Sequence, residues 1–467
     1  MAIINARSPY YVSISNAAIS YATLDIYIWD GDKNTPTSQR YALRKHKAGS
    51  STSVSFDVSE LVKDYLDLNF NGVYGTSFQD VCKWVKTDLK AFNDSGVQEG
   101  ATVSQTNLAL ESYSYFQEGS SFSFDNKSLL MKNVNLYLEP FSDFQIPVYT
   151  KNNPSIAFID SSGTTQRTVS FLDSDESTEQ VESVNLFPQL ITNVSFDVSD
   201  DWQIRSLDII ENGVLKCNGQ LGSRNFQNFT PIAGNEYIIN FEIKEHTSGN
   251  IRYYDGSSGL NISGDLNTVG AYSFKYTQSA TGTNLVSFYS PLGFDGVIDN
   301  VSLKEVTQVS KVVITDDNDI TTLNVKEQCE PKYSPYKVTF VNKFGVLQDM
   351  YFFKKSTESM SIEKESYKSN ILTNANTYST SSHVKRDFNI IGSESISLSS
   401  GYLEESYNEI FKQLMLSEKV WLTDEDFQVT PINVKTSDIT YKTSVNNKLV
   451  EYTIEFDKSY DTINNIR

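Results

Sequence analysis

The apolar runs of this chain are short, they alternate, and Gly, Asn, Asp and Ser punctuate the gaps between them. Leu24, Ile26 and Ile28 alternate with Asp25, Tyr27 and Trp29, and the stretch FDGVIDNVSLKEV (Phe294 to Val306) alternates in the same way. A period of two presents one face of a strand to a core, whereas a helix needs a period near 3.6. The pattern predicts a mainly β chain. With 27 Tyr and 27 Phe, aromatic side chains suited to half-buried pleated surfaces are plentiful, which also argues against disorder.

FDGVIDNVSLKEV reads as a strand that closes a unit, with Asp299 held in its middle. Asn193 to Trp202 (NVSFDVSDDW) reads as the opening strand of the same unit, which makes residues 185–306 a module inserted into a divided host. Strand candidates in the insert include EYIINFEIKEHT, AYSFKYTQS and NLVSFYS, spaced as in a sandwich or jelly roll. Residues 1–184 read as an N-terminal β-sandwich host region of immunoglobulin or fibronectin type. They include a short helix at VSELVKDYL, where Asp57 and Glu60 have capping-box spacing. Residues 307–467 read as a C-terminal host β domain with one helix near 403–417, where Tyr407, Ile410, Phe411 and Leu414 fall at helical spacing. A hairpin is expected across Asp316 to Asp319, a bend at Lys343 to Gly345, and a final hairpin across Asn446-Asn447. The polar stretch Thr373–Arg386 reads as an exposed, extended segment able to reach a neighbouring subunit.

A formal charge of −19, with no long run of Lys or Arg, argues against nucleic acid as a partner. Three dispersed cysteines suggest neither a disulfide framework nor a zinc site. The N-terminus shows no basic and apolar leader, and no run approaches 18 apolar residues, so cytoplasmic assembly without membrane insertion is expected. Three histidines stand outside any HExxH or GxSxG context, and no phosphate-cradling glycine motif occurs. The chain is therefore read as a non-enzyme.

Asp299 needs a partner if its strand is buried, and two readings stay open: backbone N–H groups or a calcium ion. For a ligand the insert offers aromatic planes on which sugar rings can stack, beside amides, carboxylates and guanidinium groups. Tyr253 and Tyr254 are adjacent, so one of them faces outward. With Arg252, Asp255 and Trp202 they form the candidate glycan site.

On NVSF, DDW and FDGVIDNVSLKEV, the insert resembles the jelly-roll, carbohydrate-binding-module-like domains of bacterial glycan-processing enzymes and phage tail proteins. That resemblance implies a structural calcium held in part by Asp299. The host resembles virion structural proteins of tailed phages that infect Bacteroidetes. This second likeness rests on SPYYVSI, LDIYIWDG, FDVSELVKDYL, YSYFQEG, PKYSPYKVTFVNKFGVLQDMYFFKKS and FKQLMLSEKVWL…NNKLVEYTIEFD. It implies a virion location at the tail tip, baseplate or adjoining ring. It also implies homo-oligomerisation, other tail proteins as partners, and an outward-facing insert for host-surface glycans. A head fibre or decoration protein, or a glycan-binding protein outside any virion, are the alternatives.

Overall fold

The computed structural model describes residues 3–463 apart from 71, 73–80, 120–122, 125–126, 133, 172–180, 189, 192–195, 197–200, 206, 230, 255–260, 279–283, 307, 330–331, 425–427 and 441–448. The protein is mainly β, with sandwich-like sheets in several units and two α-helices among the described residues.

The first unit pairs a five-stranded sheet, in the order Ile3–Asn5, Val103–Leu110, Cys82–Phe92, Tyr21–Trp29, Gln39–His46, with the two strands Tyr11–Ser15 and Ser53–Asp57. Alternation sends Ala22, Leu24, Ile26 and Ile28 inward against Val12, Ile14, Val54 and Phe56. The short helix spans Ser59–Lys63 with Val58 at its N-cap, so the expected capping box is displaced. Asp57 instead accepts the Ser59 N–H at 3.2 Å and the Tyr10 N–H at 3.1 Å.

In the second unit the host chains on either side of the insert meet. Ser155–Ile159 pairs antiparallel with Lys311–Thr315, inside the sheet order Thr165–Ser170, Ser155–Ile159, Lys311–Thr315, Ile320–Glu327, Asn135–Leu138. The expected hairpin at Asp316 is present, Asp316 Oδ1 accepting the N–H groups of Asn318 and Asp319. Gln145–Tyr149 and Val181–Asn185 cover this sheet, and Ile146, Val148, Phe158, Ile314 and Leu323 share its core. Residues 1–184 thus contribute to two units, and the second is completed only by chain from beyond the insert.

The third unit is a seven-stranded sheet, ordered Leu347–Phe352, Tyr336–Val341, Val420–Thr423, Val429–Val434, Thr453–Asp461, Lys385–Ser399, Thr357–Lys368. On it packs the helix Tyr407–Met415, whose Ile410, Phe411 and Leu414 meet Val338, Phe340, Phe352 and Phe456. Thr453–Asp461 lies between the strands Val429–Val434 and Lys385–Ser399. The turn Asn446-Asn447 lies outside the described residues. Trp84, Leu108, Tyr149, Val181, Phe344 and Trp421 form one core drawn from all three host units.

The insert has its own core and two sheets. One runs Ile209–Glu211, Val214–Asn218, Asp295–Glu305, Glu236–Ser248, Gly270–Thr277; the other runs Ser223–Phe229, Asn284–Ser290, Arg252–Tyr254. The stretch read as a closing strand is therefore central in its sheet. Asn300 has φ +53, and the register slips between Asn240 and Glu242 opposite it, so Ile298 as well as Val301 and Leu303 reach the core. A bulge of this kind resets the alternation. Leu186 and Phe187 belong to the host core, whereas Ile191 begins the insert core. Most of the expected opening strand, 193–202, lies outside the described residues, but Phe196 and Trp202 pack in the insert core.

Candidate functional site

On the three-stranded sheet of the insert, strand alternation turns Tyr253 inward, fully buried, with its hydroxyl 3.0 Å from that of Tyr276. Trp202 is also a core side chain, 3% exposed, packed between Phe196 and Phe288. Neither ring offers a face to a ligand, because both are packed inside the insert core. This corrects the expectation for Trp202 and Tyr253. Arg252 and Tyr254 do face outward. The Arg252 guanidinium ion-pairs with Asp265, holding that carboxyl below the usual range, and donates to the Tyr254 hydroxyl at 3.3 Å. Tyr254 stands edge-on to Tyr289, with ring centroids 5.5 Å apart. Asp255 lies outside the described residues.

Asp299 is buried and ion-paired with Lys244 at 2.6 Å, so it has an ionic partner within the chain. An ammonium group stands where the resemblance would set calcium. No cluster of three potential ligands from His, Cys, Asp and Glu exists among the described residues, and the donor set does not fit the ion. Excess chelator is therefore expected to leave the melting temperature unchanged, whereas Lys244→Ala is expected to lower it by orphaning a buried carboxylate. A chelator-induced fall in differential scanning fluorimetry would restore the calcium reading.

A larger concavity lies where the insert meets the host, a cleft of about 710 Å³. Asn240, Glu242, Asn300 and Ser302 from the outer face of the insert sheet oppose Phe141, Lys332 and Tyr333 of the host. Asn300 donates to Glu242 at 3.0 Å, presenting a coupled amide and carboxylate toward the opening. One end is pinned: Lys304 Nζ donates to Asp143 at 2.9 Å and to the Phe141 carbonyl at 3.0 Å. Amides, hydroxyls and carboxylates near aromatic rings suit a polyhydroxylated ligand.

A different kind of surface is the projecting arm. The strands Thr357–Lys368 and Lys385–Ser399 form a long hairpin, and from 357 to 390 every residue except Ser369 and Ile371 is exposed. Thr373–Val384 is the hairpin tip rather than an extended strand, while Lys385 and Arg386 open the returning strand. Met360, Ile362, Tyr367, Leu372, Tyr378, Val384, Phe388 and Ile390 are exposed along it. Isolated exposed apolar side chains are ordinary, but this concentration on one projecting ribbon marks a surface built for contact.

No protein-family model and no curated protein matches the chain. Among solved structures it is similar to the Bacteroides ovatus mixed-linkage glucan utilization locus SGBP-B, seen with a mixed-linkage heptasaccharide. That match has 7% identity over 65% of this chain and 94% of that one, at a TM-score of 0.15. It is also similar to native E. coli alpha-2-macroglobulin, with 8% identity over 97% of this chain and 39% of that one, at a TM-score of 0.17. Scores this low carry no argument about fold or function.

The cleft escaped sequence reading because its walls come from positions near 140, 240, 300 and 333, which no local pattern links. The arm left a partial signal in its run of polar residues. Its apolar members, spaced among Ser, Thr and Lys, look like ordinary half-buried strand positions until the pairing is known.

Proposed function

We propose that this chain is a structural component of a bacteriophage virion, at the tail tip, baseplate or adjoining ring. In this reading it assembles with copies of itself and with other tail proteins, and its insert faces outward toward cell-surface glycans. The arm at 357–390 is the observation that carries the assembly reading. A two-stranded ribbon solvated on both faces is marginal in water, and apolar side chains left exposed on it favour a partner. The host supports the same reading, since three units share one core and give the arm a firm base. The insert, with its separate core, supports display: Arg252 and Tyr254 lie on its surface, and the cleft opens between it and the host.

Light scattering coupled to size exclusion is expected to return a multiple of the chain mass, and negative-stain microscopy to show closed rings. A clean monomer in both would overturn the assembly reading. An antibody against the insert is expected to mark the tail end of particles that encode the chain. Label over the capsid would move the protein to a head fibre or decoration role.

A further inference from the structure

We infer that the arm docks on a second copy of this chain, adding its outer strand Thr357–Lys368 to the open edge strand Gln39–His46 of the first host unit. This contact rests on the assembly reading above and names the surfaces that make it. Among the described residues Thr357–Lys368 is the last strand of its sheet and is paired along one side only. A strand in that state presents a row of free backbone donors and acceptors, a template for another edge. It is twelve residues long, enough to cover the eight residues of Gln39–His46.

Charge selects the receiving edge. Gln39–His46 is last in its sheet, and six of its eight positions are exposed. It carries Arg40, Arg44, Lys45 and His46, Lys47 follows, and no carboxylate interrupts them, in a chain whose net charge is −19. Arg40 and Arg44 lie over the rings of Tyr65 and Tyr21, which holds both cations on the surface of this strand and its neighbours. The arm strand brings Glu358, Glu363 and Glu365; of its two lysines, Lys364 is already matched by Asp387 at 2.7 Å and Lys368 stands at the far end of the strand. Among the described residues the other end strands of the larger sheets offer no such cluster: Thr165–Ser170, Gly270–Thr277, Ser223–Phe229 and Arg252–Tyr254 carry one cation each, and Ile3–Asn5, Asn135–Leu138, Ile209–Glu211 and Leu347–Phe352 carry none. Opposite charges set the register and suppress other pairings, while main-chain hydrogen bonds supply affinity. Since the two surfaces differ, the contact is head to tail and generates a ring when the rotation closes.

Charge exchange tests the pairing, read by light scattering on the full chain. Glu363→Lys with Glu365→Lys is expected to weaken the oligomer by roughly tenfold or more, and Arg44→Glu with Lys47→Glu to do the same. The chain carrying all four changes is expected to recover the wild-type mass. Melting temperatures within a degree or so of wild type would show that these exposed substitutions leave the fold intact. A monomeric wild-type chain would overturn both this contact and the assembly reading. A wild-type oligomer indifferent to both reversals, or one broken by either and not restored by the fourfold exchange, would overturn this contact alone.

Discussion

Gly345→Ala is expected to destabilise the protein by roughly 3–4 kcal/mol. Gly345 sits at φ +76, where an L side chain already costs about 1–2 kcal/mol. A Cβ there would lie 2.6 Å from the Ser112 nitrogen and 2.7 Å from the Glu111 carbonyl carbon. Both are backbone atoms, so no rotamer change relieves the overlap and the two host units must separate locally. That joint is where Tyr113 N–H donates to the Lys343 carbonyl at 3.0 Å and Asn342 Nδ2 to the Leu130 carbonyl at 2.8 Å. Lys343, 2% exposed, is ion-paired to Glu118 and lies 4.3 Å from the Tyr115 ring centre. Gly163→Ala is the control, because Gly163 has φ +89 with nothing within 4 Å of the added carbon. It should cost only the backbone share, about 1–2 kcal/mol. Equal losses for the two variants in urea denaturation would show that the approach of Gly345 to Glu111 and Ser112 has no energetic weight.

Lys304→Met is the second large effect, at about 2–3 kcal/mol near neutral pH. Lys304 comes from the insert and is 6% exposed, and its ammonium joins the Phe141 carbonyl and the Asp143 carboxylate of the host. Methionine keeps the aliphatic volume and removes the charge, leaving Asp143 with the Asn185 amide at 2.9 Å. Burial pushes the Asp143 carboxyl up, but Lys304 and Lys337 outweigh it and hold the group below its ordinary value. A carboxyl lowered in the folded state contributes stability above its unfolded value, about 3.9, and loses it as pH falls through the folded one. The difference between wild type and Lys304→Met should accordingly be full at pH 7 and shrink on acidification below about 4. A difference that stays constant down to pH 2 would mean that the ammonium acts through packing rather than charge. Because the pair joins insert to host, the variant should also separate their unfolding transitions in calorimetry.

Much of the fold could be read locally. The strand Tyr21–Trp29, the hairpin at Asp316 and the helix Tyr407–Met415 follow from patterns of a few residues, and each forms where those patterns place it. The misreadings share a cause. Asp57 and Glu60 had the spacing of a capping box, but the pull of Tyr10 N–H on Asp57 depends on a strand far away in sequence. Val297, Asp299, Val301 and Leu303 alternate in the sequence, yet the bulge at Asn300 sends Ile298 into the core, and that bulge answers to the register of the neighbouring strand. Of the candidate glycan residues, only the rule that adjacent strand residues face apart was available. It separated Tyr253 from Tyr254 correctly without saying which one was inside.

What the sequence determined by itself was therefore the mainly β class, many of the strands and the helix Tyr407–Met415. Backbone propensity, period and turn chemistry act over a handful of residues and survive without context. Tertiary structure alone decided partnership: that Ser155–Ile159 pairs with Lys311–Thr315 across the insert, that Asp299 meets Lys244, and that the Thr357–Lys368 strand is left with an open edge. Those outcomes depend on which distant surfaces compete for one face or one charge. That competition is settled by the free energy of the whole packed chain and leaves no periodic trace in any one segment.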